Sequence, residues 1–565
     1  MDPLPIVLRP LPRTRRTALT HRRPDAPTPP PSPPADLVVR GRVWTGDPGR
    51  PRAGAVAVVG ERIAAVGSAA ELEAWTGPDT RLIDAGDGLV APGFHDGHVH
   101  FLQGGFQLAR VDLRDADDPE AFARRIADHA AGLGPGAWIL GGDWDEQRWP
   151  GAPLPRREWI DRVTPENPVL VTRMDQHMAL ANSEALRLAG LSDASSAPAG
   201  GTLVRDGEGR LTGLLKDNAM DAVRRVVPDP SPEEADAALE RAMGWAARHG
   251  VTSVSAVCVS PLELEAMERA RERGSMRTRI AAYPMLDRWR WIADYRESHP
   301  GDAWLRVPGG KAFVDGSLGS GTALFFEPYE DAPGETGLLV TPEEDLRDWI
   351  AGADAAGLQT AVHAIGDRAV ALLLGLYEEV AAENGPRDRR FRIEHAQHLR
   401  RQDVPRFARL GVVASVQPYH AADDGRWAER RVGPERLETT YAFRSLLDAG
   451  ARVAFGSDWT VAPLDPIAGI RAAVTRRTLD GEHPDGWIPA QKVSLDEALR
   501  CYTREPAYMV HAEDELGTIR PGLQADLVVL DRDPFEVIPE ALDGVRVRTT
   551  VVGGEVVHPS HGGAT

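Results

Sequence analysis

The chain has 565 residues, enough for more than one domain, and 42% of them are apolar, so a sizeable core can be buried. Acidic residues outnumber basic ones 84 to 65, for a formal net charge of −19, which argues against a nucleic-acid partner and otherwise serves solubility. No apolar run approaches the roughly 20 residues that span a bilayer, and two cysteines, Cys258 and Cys501, cannot build a disulfide framework or a Cys-based zinc site, so a reduced, cytoplasmic setting is expected.

Residues 1–35 are rich in Pro and Arg, include PTPPPSPP and lack the apolar stretch of a secretory signal; they are expected to be a disordered tail. From Asp36 the pattern turns to short β-branched runs between Gly turns: DLVVRGRVWTG, GAVAVVGERIAAVG and TRLIDAGDGLVAPGF. A matching pattern returns near the end in LGTIRPGLQADLVVLDRDP and RVRTTVVGGEVV. Residues 36–90 and 510–557 are therefore expected to form one composite β-sandwich around a long middle.

That middle, 91–509, alternates strand-like and helical runs, the signature of βαβ units and a parallel sheet. Eight candidate strands stand out: Leu89–Phe94, Val251–Val257, Arg279–Tyr283, Lys311–Asp315, Gln359–His363, Arg392–His395, Val412–Val416 and Arg452–Ser457. Helical patterns such as PEEADAALERAMGWAARHG and RAVALLLGLYEEVAAEN sit between most of them, which predicts an α/β fold of the (β/α)8 TIM-type barrel. The interval 104–235, after the first strand, is too long for one connection. With strand-like runs of its own, AWILGGDW and PVLVTRMD, it is expected to be an inserted subdomain over the barrel mouth.

In such a barrel the C-terminal strand ends converge on one site. At those ends stand His98 and His100, His363, His395 and Asp458, while the fourth candidate strand begins at Lys311. Each has an ordinary alternative: a surface His-x-His, a satisfied core histidine, a helix cap, an exposed lysine. Together they match imidazole and carboxylate ligation of zinc or another divalent ion. Lysine adds a further argument, because only Lys216, Lys311 and Lys492 occur among 65 basic residues. A buried lysine amine can be neutral and take up CO2 to give a carbamate, a long-stemmed carboxylate able to bridge two cations; arginine cannot.

The blocks GLVAPGFHDGHVHF, KAFVDGSLGSGTALFFEPY, AVHAIGDRAV, RIEHAQH, FGSDWTVAPLDP and GTIRPGLQADLVVLDRDP resemble the amidohydrolase superfamily. Within it they resemble amidohydrolase family 3, the group that contains N-substituted formamide deformylase; GGDWDEQRWP and TRMDQHMALANSEAL in the insertion are similar to it too. The resemblance runs from Asp36 to Val557 and implies a barrel with one or two divalent ions, zinc foremost, and a composite β-sandwich. It implies one metal on His98, His100, Lys311 and Asp458 and another on Lys311, His363 and His395, with Lys311 carboxylated and bridging. One departure is Gly321, which stands in GSLGSGTA where the family often has Arg.

The expected reaction is attack of a metal-activated water on an amide-type, non-peptide carbon–nitrogen bond of a small molecule, with Asp458 moving the proton. Deamination, cyclic-amide opening and ester hydrolysis are alternatives on the same barrel, as is a non-catalytic metal or ligand-binding role. His177, in the insertion, is a second catalytic candidate; Asp143, Trp144, Asp315 and Gly321 are substrate candidates; His95 and Asp96 are supports for the ligands beside them. A homo-oligomer is compatible with the sequence without being required by it.

Overall fold

The computed structural model of the chain describes residues 34–146, 149–174 and 177–559. Residues 1–33 of the expected tail lie outside the described residues, as do Gln147, Arg148, Asp175 and Gln176 of the insertion motifs.

Both ends of the chain meet in one mixed sheet of seven strands. Its order is Glu555–Pro559, Val547–Val552, Leu527–Leu530, Arg81–Pro92, Leu37–Trp44, Arg52–Val59, Arg62–Gly67. The period of two sorts its apolar residues. Leu37, Val39, Val56, Val58, Leu527 and Val529 form one cluster, while Val38, Ala55 and Ala57 pack with Leu72 in another. The strands expected as a sandwich thus lie in a single sheet.

Residues 89–94, expected as one strand, divide between two sheets. Val90 and Ala91 pair with Val529 and Val528 of the terminal sheet, whereas Phe94 opens strand Phe94–Val99, paired with Val251–Val257. The change of partner falls at Pro92-Gly93.

Parallel strands fill the middle of the chain. One sheet runs Leu305–Arg306, Arg279–Tyr283, Val251–Val257, Phe94–Val99; a second runs Gly309–Phe313, Gln359–Ala364, Arg392–His395, Val413–Val416, Arg452–Phe455. Single parallel bridges, Met285 to Lys311 and Val99 to Trp459, link the two sheets at either side. Val251–Val257 is buried along its whole length, as expected of a parallel strand covered on both faces. The intervening helices carry clear start signals. Ser231 and Glu234 form a capping box on Pro232–Arg248, and that helix buries Ala235, Ala238, Leu239, Ala242, Met243 and Ala246 on one stripe.

Between strands Phe94–Val99 and Val251–Val257 stands a third sheet, of six strands, in the order Gly201–Arg205, Leu211–Asp217, Met178–Ala181, Val169–Arg173, Ile139–Trp144, Val111–Asp112. It has its own core of Phe122, Ile126, Ile139, Trp144, Trp149 and Ile160. Among the described residues, no helix is long and apolar enough to cross a membrane.

Candidate metal centre

Parallel strands bring one set of side chains together at their C-terminal ends. His98 lies in Phe94–Val99 and His100 just follows; their spacing of two turns both rings to one side, with centroids 6.0 Å apart. His363 lies in Gln359–Ala364 and His395 closes Arg392–His395, and these rings are 4.5 Å apart. His98 and His395 are separated by 4.9 Å between centroids. Asp458 follows strand Arg452–Phe455 and puts Oδ1 3.5 Å from His98 Nε2 and 3.3 Å from His100 Nε2. Ligand-capable atoms of His98, His395 and Asp458 all fall within 4.8 Å of one another.

Local backbone choices make this convergence possible. Gly456 approaches the first strand so closely that a Cβ on it would lie 2.6 Å from the His98 amide nitrogen. The Asp96 carboxylate ties the same junction, accepting from the amides of Ser457 at 2.9 Å and His98 at 3.1 Å. Burial pushes that carboxyl up to about 7, although the Ser457 and His98 donors pull the other way. His395 and Asp458 hold φ of 74° and 58°, left-handed values costly for residues with a side chain and concentrated at functional sites. At His395 this turn has a clear use: consecutive residues Glu394 and His395 both reach the His98 ring, which a flat strand would forbid.

The electrostatics favour neutral imidazoles, the form that ligates metals. Burial, with Lys311 adding to it, pushes His98 down to about 4 and His363 down to about 3; burial likewise holds His395 far below its ordinary value. His98 Nδ1 lies 2.5 Å from Glu394 Oε2, and His395 Nδ1 lies 2.8 Å from Gln417 Oε1. Both rings therefore donate through Nδ1 and keep the Nε2 lone pair free, the usual support for a metal-ligating histidine. Burial opposes the charge on Asp458, yet His100, His98, His395 and His420 hold its carboxyl well below the usual range. Its Oδ1 is buried and, among the described residues, has no hydrogen-bond partner. An ionised, unpartnered carboxylate oxygen facing neutral imidazoles is a donor set that a divalent cation fits.

Lys311 is buried, and burial lowers the pKa of its amine. Its Nζ lies 5.0 Å from the Phe313 ring centroid. The neighbours that pull the other way include Glu394 and Asp458, so Lys311 shares the environment of the histidine cluster.

Other sequence candidates fare differently. Trp144 does not line a substrate site: it is fully buried in the insertion, its ring 6.0 Å from Trp149 in a stacked pair and edge-on to Phe122. Asp315 is not available to a substrate either. Its carboxylate, buried, accepts from the amides of Leu324, Ile365 and Gly366 at 2.8–3.0 Å and so anchors two loops. His177 is 78% exposed, with Nδ1 2.9 Å from Asp217 Oδ1. Asp143 pairs with Arg114 at 2.8 Å on a cavity of about 580 Å³ that also touches Trp459 and Val461, next to Asp458. Gly321 has φ 72°, and a Cβ there would meet Arg431 Nη2 at 2.9 Å, so any larger residue would be strained and displace that guanidinium. His95 is buried, its Nε2 3.5 Å from Ser255 Oγ.

The residue-by-residue reading missed several members of the cluster. Glu394, beside His395 in sequence, pairs with His98 and accepts from Arg392 Nε at 2.7 Å. Cys258, half-buried with φ 56°, directly follows strand Val251–Val257; burial raises its thiol while Lys311 lowers it. His420 enters from helix Pro418–Asp424, with Nε2 3.9 Å from Asp458 Oδ2. The signal for Glu394 and Arg392 was an acid and a base two apart on a strand that is otherwise buried.

Similarity to known proteins extends over most of the chain. The chain is 40% identical over 94% of its length to Protein LONG AFTER FAR-RED 3 of Arabidopsis thaliana, covering 93% of that protein. It is 29% identical over 92% of its length to N-substituted formamide deformylase of Arthrobacter pascens, covering 97% of it. A crystal structure of an uncharacterized metal-dependent hydrolase from Pyrococcus horikoshii superposes with a TM-score of 0.73 at 28% identity, over 89% of this chain and 99% of that one. The profile of the amidohydrolase family, the group expected from the motifs, matches residues 81–558, and the chain belongs to that family.

Proposed function

We propose that the protein is a metal-dependent hydrolase that cleaves an amide-type, non-peptide carbon–nitrogen bond in a small molecule. The observation that carries this reading is the convergence of His98, His395 and Asp458 within 4.8 Å, with His100 and His363 beside them. The two parallel sheets and their linking bridges are read as one closed (β/α)8 barrel, with the six-stranded insertion near its mouth and the terminal sheet as a composite domain. The similarity to N-substituted formamide deformylase supports the choice of bond. The balance of −19 favours a small-molecule substrate over a nucleic acid.

His98, His100, His363, His395 and Asp458 are the residues that would hold zinc or another divalent ion. Such an ion supplies a water of lowered pKa, roughly 7, and polarises a carbonyl. Lys311 is read as carboxylated: its neutral amine adds CO2, releases a proton and becomes an anionic carbamate. The loss of amine basicity on burial supports that chemistry.

The chain's own residues then divide the work. The Nδ1 contacts to Glu394 and Gln417 orient His98 and His395. Asp458, ionised among imidazoles, accepts the proton of the attacking water and delivers it to the leaving nitrogen. Half-buried Phe313, its ring 5.2 Å from that of His363, helps keep bulk water from the strand ends.

The test is metal content together with a substrate panel of formamides, N-acyl amino acids and cyclic amides on zinc-loaded protein. Turnover is expected on at least one class, with formate, a free acid or a ring-opened acid identifying the bond. Asp458→Asn should lower kcat by at least about 100-fold, the scale of a positioned acid–base group. Stoichiometric metal with no amide turnover, or an active Asp458→Asn, would sink the proposal.

A further inference from the structure

His420 stands outside the ligand set but faces the same space. It lies on helix Pro418–Asp424, directly after strand Val413–Val416. Its ring is parallel to that of His395, at an interplanar angle of 8° and 6.3 Å between centroids. Nε2 lies 3.9 Å from Asp458 Oδ2, is itself buried and has no hydrogen-bond partner among the described residues. A buried ring nitrogen left without a partner is costly, so a position like this favours an occupant.

That occupant is not the cation held by the other histidines. Ligand atoms on one tetrahedral zinc stand about 3.3 Å apart, from bonds of roughly 2.0 Å. His420 is not in the group of His98, His395 and Asp458, whose ligand-capable atoms all lie within 4.8 Å of one another. What fits is a group lying between His420 Nε2 and Asp458 Oδ2. A carboxylate such as that of Asp458 accepts, whereas an Nε2–H imidazole 3.9 Å away donates. A tetrahedral carbon bearing one anionic oxygen and one N–H or O–H satisfies both at once.

We propose that His420 is a catalytic residue that donates a hydrogen bond from Nε2 to the carbonyl-derived oxygen of the substrate. The bond strengthens as that oxygen gains charge, so it acts on the transition state more than on the ground state. The donor is held in advance. One turn along the same helix, Asp424 accepts from Tyr441 Oη at 2.6 Å and from Gln397 Nε2 at 2.9 Å, which fixes the helix over the site.

This inference rests on the hydrolase reading, and the experiment separates the two. His420→Ala and His420→Gln are compared with the wild type for zinc content, kcat, KM, and affinity for methylphosphonate, a tetrahedral oxyanion mimic, against planar acetate. Expected for His420→Ala is full zinc content, a kcat about 100-fold lower with KM within about threefold, and a selective loss of methylphosphonate over acetate binding. His420→Gln, which keeps an N–H donor, should recover part of both losses and covers the case in which His420→Ala does not fold. Loss of zinc in either variant would make His420 a ligand or a scaffold and overturn the inference. So would an unchanged methylphosphonate-to-acetate ratio, whether or not a substrate has been found. A wild type that binds zinc and hydrolyses nothing in the panel removes the hydrolase reading, and His420's catalytic role with it.

Discussion

Replacing Glu394 by Gln tests how the cluster is held. Arg392 and Glu394 are both fully buried, and the carboxylate accepts from Arg392 Nε at 2.7 Å and from His98 Nδ1 at 2.5 Å. Burial works against the Glu394 charge, but Arg392 and His98 hold its carboxyl far below the usual range. A glutamine of the same shape has one acceptor oxygen and one donor nitrogen, so either Arg392 or His98 would face another donor. Arg392 would also lose its counter-charge while buried, and among the described residues its Nη1 has no hydrogen-bond partner. Breaking a buried pair in this way costs about 3–5 kcal/mol. Misorienting His98 should weaken metal binding by about 10–100-fold. Hydrogen exchange of peptides spanning 309–364 and 392–455, on metal-stripped protein, reads the first effect locally, and competition with a chelator reads the second. Arg392→Met combined with Glu394→Leu should recover much of the stability, because neither charge is then left alone. A loss below about 1 kcal/mol with unchanged metal affinity would refute the reasoning.

Three further outcomes follow from the geometry. Lys311→Ala should lose metal and activity, with partial return in added acetate, and 13C-bicarbonate should give a carbamate signal in the wild type alone; full metal content in the variant would remove Lys311 from the site. Burial, with Arg436 nearby, pushes His398 down to about 3. Against an ordinary value of about 6.5, the unfolded chain binds a proton there that the folded chain lacks. The stabilisation is present above about pH 6.5 and is lost as pH falls toward the folded value, at up to about 1.4 kcal/mol per pH unit. In His398→Gln the acid limb of the stability curve should be shallower by one proton, and an identical slope would contradict this. Trp144→Ala should destabilise the insertion by about 3–5 kcal/mol while leaving KM unchanged, and a specific rise in KM would return Trp144 to the substrate site.

The clustering of His98, His100, His363, His395 and Asp458 was legible because a strand end in a parallel sheet is a position with consequences, and all five stand at or just after such ends. The family was legible from contiguous blocks, such as GLVAPGFHDGHVHF, that survive as local motifs. The break inside Leu89–Phe94 was not, since an unbroken apolar run gives no sign that its two halves pair with different sheets. Glu394 was hidden by the period of two, which sets it opposite His395; only the left-handed backbone at His395 brings both to one ring. Trp144 and Asp315 were misplaced for a related reason: a motif tells which residues stand near one another in sequence, but not whether a ring is packed inside or a carboxylate spent on amides.

The seven-stranded sheet has a consequence for the order in which the protein can be made. Its middle strand, Arg81–Pro92, has a parallel neighbour, Leu37–Trp44, that leaves the ribosome early, and an antiparallel one, Leu527–Leu530, that leaves late. Until residue 530 has emerged, the backbone groups of Val90 and Ala91 on that side wait unpaired, while the whole run of parallel strands is synthesised between them and their partners. A waiting edge of this kind is a template for strangers. Translation that pauses or stops before Leu527 would therefore release a chain with both parallel sheets complete and an open, apolar seam along Arg81–Pro92.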